Sequence, residues 1–264
     1  MRSTEILKTL MDWFKGKGKV AVAFSGGLDS SLVAAAAAMT LGEGALAITV
    51  KTELIGKKEV EDAKATAKKL GIRHKIIELN LPKLILENPP ERCYICKKHL
   101  MKNVRETACK DGFGLVVDGT NIDDIAAVRP GTRALEEEGI RSPLTELKLG
   151  KQEVRQFLKM LGFDYTKAPN ACLATRFTIG HRITSHEISM VEEAEEFLRE
   201  NGFNLLRVRF HDGMARIEIG KDELPRLFSG NLFEKVAVKL KSLGFTHVTV
   251  DLEGYRAGNM DQKH

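Results

Sequence analysis

The sequence predicts an α/β protein in which a doubly wound parallel sheet is followed by a smaller C-terminal α+β domain. Three observations carry that prediction. Short apolar runs alternate with helix-periodic segments through the first half. A glycine-rich loop joins the first strand to the first long helix. Beyond residue 184 the order changes to helix, strand, strand, helix, strand. Lys19 to Phe24 (KVAVAF) is the kind of apolar run a strand buried on both faces needs. An alanine-rich helix, about Ser30 to Leu41, follows the loop, and Ala45 to Val50 is the second strand. Lys57 to Leu70 carries Val60, Ala63, Ala67 and Leu70 at helical spacing, with Gly71 as its stop. His74 to Leu79 and Leu115 to Asp118 read as strands three and four. Between them lie the break Asn88-Pro89-Pro90 and a helix from about Cys93 to Lys110. The irregular stretch Thr166 to Thr184 precedes a helix at Ser185 to Asn201, strands at Leu205 to Phe210 and Ala215 to Ile219, a helix at Leu232 to Leu243 and a strand at Thr246 to Leu252. The expected division is residues 1–165 as the sheet domain, 166–184 as a linker carrying Cys172, and 185–264 as the α+β domain.

Composition narrows the class. Of 264 residues 43% are hydrophobic and 29% charged, which excludes disorder, collagen and a coiled coil. The net charge of +5 permits a phosphate-bearing partner without demanding nucleic acid. Four cysteines are too few for a disulfide-stapled secreted scaffold. The N-terminal segment lacks the apolar core and small-residue cleavage site of a signal peptide, and the run Leu32 to Met39 is too short to span a bilayer. A cytoplasmic protein with no membrane partner is expected.

The sharpest local signal is Ser25-Gly26-Gly27-Leu28-Asp29-Ser30 at a strand-to-helix junction. Two glycines allow a sharp turn and close approach to an anion. Their N–H groups, the Ser25 and Ser30 hydroxyls and the helix N-terminus together suit a phosphate. Asp29 fits helix capping or Mg²⁺ binding better than direct phosphate contact. The bland alternative is a capped turn. No Gly-Lys-Ser/Thr follows, so this is not a Walker A loop. It resembles SGGxDS, the pyrophosphate loop of the N-type ATP pyrophosphatases, which include GMP and NAD synthetases and tRNA thiolases. The resemblance implies the PP-loop, adenine nucleotide α-hydrolase-like fold and cleavage of ATP between its α and β phosphates. It also implies that Thr49 and Gly119 lie where adenosine is held, with the acidic pair Asp123 and Asp124 close by.

Cys93-Tyr94-Ile95-Cys96 opens a helix, and Cys172 lies in the irregular stretch. Spacing alone leaves a redox dithiol, structural zinc, an iron–sulfur site and ordinary packing open. Cys109 reads as a small buried residue. Five segments then resemble the LarE family of sulfur-inserting enzymes. They are the SGGLDS loop, Glu91 to Lys97 (ERCYICK), Ala171 to Arg176 (ACLATR), Arg207 to Arg209 with Ala215 to Glu218, and Asp251 to Arg256 (DLEGYR). The family resemblance implies ATP- and Mg²⁺-dependent adenylylation and thiolation of pyridinium-3,5-biscarboxylate mononucleotide, in the making of a nickel-pincer nucleotide. It implies Cys172 and Asp29 as catalytic residues. The presence of Cys93, Cys96 and Cys172 together implies the 4Fe–4S type of member, which carries sulfide on an open iron. The alternatives are a member that sacrifices the sulfur of Cys172, or a tRNA thiolase.

Arg207 and Arg209 alternate on a strand and so share a face, an arrangement suited to a phosphate. The resemblance places the substrate phosphate there, with Arg176 near the reacting centre. Glu195, Glu196 and Glu218 match acidic positions where relatives hold metal, although a solvated helix face is the simpler expectation for Glu195 and Glu196. Ala127 departs from the acid expected of many relatives. A sulfide or other sulfur donor is the implied co-substrate. The short C-terminal domain points to substrate binding or homo-oligomer formation.

Overall fold

The computed structural model describes residues 3–126, 130–160 and 171–256. It forms two compact units, Met1–Leu81 with Glu91–Thr166, and Pro82–Pro90 with Lys167–His264. The boundary expected from sequence left residues 82–90 in the first domain; their contacts place them in the second. Ala127 lies outside the described residues.

The chain opens with α1 (Ser3–Phe14), β1 (Val20–Ala23), α2 (Leu28–Leu41), β2 (Ala45–Lys51), α3 (Lys57–Leu70) and β3 (Arg73–Glu78). After α4 (Lys83–Leu86) come α5 (Arg92–Lys110), β4 (Leu115–Val117), α6 (Ile122–Ala126), α7 (Pro130–Glu137), α8 (Pro143–Glu146) and α9 (Lys151–Met160). The four strands are parallel in the order β3-β2-β1-β4. The chain therefore winds outward from β1 through β3, then returns to the other side of β1. That reversal is a topological switch point, and a crevice opens there beyond the strand C-termini.

The sheet separates two apolar layers. Val20 and Val22 face a cluster containing Ile6, Leu10, Leu32 and Val154, while Ala21 faces Met101, Val104 and Leu135. Alternation along β1 produces this division. Ser30 through Ala37 of α2 are all buried, so its alanine-rich sequence reflects a helix enclosed on every side rather than an amphipathic one. None of the described helices is long and apolar enough to cross a membrane.

The second unit holds α10 (Ser185–Glu200), β5 (Leu206–His211), β6 (Met214–Ile219), α11 (Leu224–Leu227), α12 (Leu232–Ser242) and β7 (His247–Val250). Thr184 and Glu187 form a reciprocal capping box at the start of α10. Asp212 and Gly213, both at positive φ, close the β5–β6 hairpin. β7 then returns parallel to β6 after α12. The Pro82–Pro90 segment is fastened here by Asn88, whose Nδ2 donates to the Thr178 carbonyl at 2.7 Å while its own carbonyl accepts from Gly180 N at 2.8 Å.

Candidate active site

Residues 25–30 turn from β1 into α2 at the switch point. Gly26 has φ +73, and a Cβ there would sit 2.7 Å from the Ala63 Cα of α3. Gly119, after β4, is tighter still: a Cβ would meet Ser30 N at 2.6 Å. Two loops thus approach backbone to backbone, and only glycine permits it. Within the loop, Gly27 N donates to Ser25 Oγ at 3.3 Å, and Ser30 Oγ donates to the Gly27 carbonyl at 3.1 Å. The Ser25 and Ser30 hydroxyls lie 3.1 Å apart, and the Ser30 proton is committed to Gly27, so Ser25 is the donor of that pair. The polar groups expected to meet phosphate are therefore held in one small ring.

A cavity of 350 Å³ opens beside this ring. Ser25, Gly27, Asp29, Ser30, Thr49 and Gly119 all line it. Gly26, expected among the phosphate-facing residues, is absent from the lining and packs on α3 instead, so its contribution is the turn itself. Asp29 is not the helix cap: Gly27 holds that position without a side-chain bond, and Asp29 accepts from Asn121 Nδ2 at 3.1 Å. Burial pushes the Asp29 carboxyl above its usual range, and the Asn121 bond offsets only part of this. Asp124 also lines the cavity, whereas Asp123 accepts from Lys151 N at 2.8 Å and caps α9.

Several lining groups were not singled out from sequence. Asp118, at the end of β4, accepts from Thr120 Oγ1 and Ser142 Oγ, each at 2.6 Å, and lies 3.5 Å from Lys97 Nζ. Lys97 is the basic side chain among the described lining residues. Thr49 Oγ1 donates to the Phe24 carbonyl at 2.7 Å, so His74 Nε2, 2.8 Å away, must be the donor to it. Thr49 thereby ties β2 to the start of the loop. A strand-end position on a parallel sheet was the available signal for Asp118; Lys97 had none, because it reaches the cavity from a distant segment, and His74 supports Thr49 from β3 without lining the cavity.

Lys97, Leu100, Met101 and Val104 line the cavity from one face of α5, at helical spacing. Cys93 and Cys96 lie one turn N-terminal on the same face, Cys93 exposed and Cys96 half-buried. Tyr94 between them donates to Glu137 Oε2 at 2.7 Å, which anchors this turn to α7. Cys172 is exposed on the second unit, just before a 3₁₀ turn at Leu173–Arg176. None of the four cysteines is joined in a disulfide. Cys109 is exposed, contrary to the burial expected of it, because it falls beside rather than on the buried Val104–Ala108 stripe of α5. Among the described residues, no group of three or more His, Cys, Asp and Glu side chains is gathered to hold a metal ion.

The second unit contains a buried charge network. Arg176, Arg207 and Arg209 are 3%, 5% and 4% exposed. Arg176 makes a two-pronged bond to Glu195 at 2.9 and 3.0 Å, and Arg209 grips Glu218 Oε2 at 3.0 and 2.8 Å. Glu195 is 1% exposed, which corrects the expectation of a solvated face; Glu196 keeps partial exposure and pairs with Arg199. Arg207 stacks over the Tyr255 ring at 5.3 Å. Burial, and then the neighbouring Arg176 charge, hold its guanidinium below the usual range. Arg207 and Arg209 share a face of β5 as alternation requires, but Arg176 is turned onto Glu195 and the Cys172 turn rather than toward an open phosphate site.

Residues 12–98 match the asparagine synthase family, which covers the loop, the cavity's β1 and β2 walls and the start of α5. Full-length relatives decide the family. The chain is 35% identical to the pyridinium-3,5-bisthiocarboxylic acid mononucleotide synthase of Lactiplantibacillus plantarum, over 96% of this chain and 92% of that protein. The chain belongs to the LarE family. Uncharacterized proteins of Synechocystis sp. and Methanocaldococcus jannaschii are 37% and 36% identical over 97% and 96% of both chains. This LarE-family protein is therefore a PP-loop, ATP-pyrophosphatase-like enzyme related to a pyridinium nucleotide sulfur-transfer enzyme.

Proposed function

We propose that this LarE-family enzyme adenylylates a carboxylate of pyridinium-3,5-biscarboxylate mononucleotide and replaces the activated oxygen with sulfur. The observation that carries the reading is the single face of α5 that lines the nucleotide cavity and, one turn earlier, bears Cys93 and Cys96. Activation and sulfur chemistry are thus offered from one helix.

In the first step a substrate carboxylate oxygen attacks the α-phosphorus of ATP. The bond to the bridging oxygen breaks, and pyrophosphate leaves with that electron pair. Gly27 N–H and the Ser25 and Ser30 hydroxyls exchange their bonds within the ring for the phosphate oxygens, and with the N-terminus of α2 they receive the departing charge. Asp29 would hold Mg²⁺: its half-buried carboxyl lacks a cationic hydrogen-bond partner among those described, and a divalent ion would favour its ionised form. Lys97 is placed to leave Asp118 for the nucleotide phosphates, since two short hydroxyl bonds already serve that carboxylate. In the second step hydrosulfide attacks the acyl carbon, AMP departs, and a thiocarboxylate forms. Cys93, Cys96 and Cys172, none of them in a disulfide, are chemically fit as the thiolate ligands of a 4Fe–4S cluster. When bound, that cluster supplies an iron that delivers hydrosulfide. The substrate phosphate is assigned to Arg207 and Arg209, where an anion would relieve the crowding of buried positive charge around Arg207.

The test is anaerobic turnover with ATP, Mg²⁺, sulfide and the pyridinium dicarboxylate. Pyrophosphate release and a substrate mass in which sulfur replaces oxygen are expected. Pyrophosphate release with tRNA alone would overturn the substrate assignment. A protein mass lowered by H₂S after one turnover would replace the cluster with sacrifice of Cys172.

A further inference from the structure

Cys172 is exposed, yet the backbone carbonyls around it are held by several donors. Its carbonyl accepts from Thr175 N at 3.0 Å, Thr175 Oγ1 at 2.8 Å and Arg176 Nη1 at 3.2 Å. The same Nη1 reaches the Ala171 carbonyl at 2.7 Å and Thr175 Oγ1 at 3.0 Å. One guanidinium corner therefore gathers the residue before the cysteine, the cysteine and the third residue after it. The opposite edge of Arg176 is locked on Glu195, which also accepts from Arg199 Nη2 at 2.7 Å and Val208 N at 3.1 Å. Glu195 thus fixes the guanidinium to α10 and β5 together. From the far side, Arg209 Nη1 donates to the Thr175 carbonyl at 2.8 Å.

Burying an Arg–Glu pair is costly and gains little stability over apolar packing. Its return here is geometric: a planar fork with donors on two edges can define the position of a short backbone segment. An exposed thiol that must meet a reacting atom needs such support. We propose that Arg176, backed by Glu195, is a positioning residue that fixes the Cys172 turn. This deepens the reading of Cys172 as a sulfur-handling residue and rests on it for its purpose, though not for its test.

The test compares the full-length protein with Arg176→Lys, Arg176→Met and Thr175→Val, without ATP, substrate or cluster. Amide hydrogen exchange is followed in the peptide covering residues 171–177 and in the β5–β6 peptides. Iodoacetamide labelling of Cys172 is measured against Cys109 in the same samples. Arg176→Lys keeps a cation for Glu195 but loses the second edge, and Thr175→Val removes one half-buried hydroxyl. Both are expected to speed exchange of the turn about fivefold or more while β5–β6 stays as in the parent protein, and to shift the Cys172:Cys109 labelling ratio. Should Arg176→Met fail to fold, the other two variants decide. Unchanged exchange in the turn, or acceleration in step with β5–β6, would overturn the proposal. An ordered turn in a protein that transfers no sulfur would sink the functional reading and leave the clasp intact.

Discussion

Asp29 is a carboxylate whose surroundings oppose its charge while the proposed chemistry demands it. Burial raises its folded pKa above the unfolded value of 3.8. A carboxyl shifted upward costs stability above its folded pKa, and the cost vanishes as pH falls below 3.8. Asp29→Asn should therefore raise Tm at pH 7 in the nucleotide-free protein, with the gain shrinking as the pH is lowered toward 4. Pyrophosphate release should fall by about 100-fold or more, the scale of a lost electrostatic contact to a reacting phosphate. Thermal melts at two pH values and a pyrophosphate assay check both halves; a variant that loses stability at pH 7 contradicts the first. Gly119 gives the converse case. Its missing Cβ leaves room for Ser30 N, so Gly119→Ala must separate the loops after β1 and β4. A loss of about 1–3 kcal/mol in stability is expected, together with ATP binding too weak to measure by calorimetry.

At the level of elements, the CxxC turn of α5 is held by a clamp whose strength can be read from Glu137. Lys98, Tyr94 and Arg133 bond its carboxylate and lower its pKa from 4.5 to about 2. That contribution is fully present above pH 4.5 and disappears as pH falls through about 2. Glu137→Gln should loosen α7 from α5, seen as faster amide exchange in both helices at pH 7, with a difference from the parent protein that narrows below pH 4.5. Exposure and salt screening keep the effect small. What was legible in the sequence follows the same division between local and distant causes. β1 and β2 announce themselves because strands covered on both faces are apolar throughout, and the loop announces itself because only glycine tolerates its geometry. α6 to α9 went unassigned because they are fixed by distant partners: Asp123 caps α9, and Asp118 binds Ser142. Glu195 sits in an acidic run that reads as a solvated face, yet its spacing from Val191, Ala194 and Leu198 is that of a buried stripe.

For the whole molecule, the feature that no local window shows is the excursion of residues 82–90 into the second unit. Asn88 is its anchor, fully buried at φ +53, with its side-chain amide on Thr178 and its carbonyl bonded by Gly180 N. Ile183 N adds a 2.7 Å bond to the Leu86 carbonyl. The second unit is thus built from two separate stretches of chain, and its stability depends on a segment that the first unit's sequence encloses. Asn88→Ala removes the side-chain bonds and leaves a Cβ residue in the left-handed region, for a combined cost of about 2–4 kcal/mol. Asn88→Gly loses the same bonds without the steric part, so it should be less harmful than alanine. If the two units unfold as separate cooperative blocks, both variants lower only the transition assigned to β5–β7, and amide exchange in β1, β2 and α2 stays unchanged. Acceleration across both units at once would instead show that the excursion couples them into one folding block. Because the excursion leads directly into the Cys93–Cys96 turn, either outcome states how firmly the thiol-bearing start of α5 is tied to the fold of the second unit.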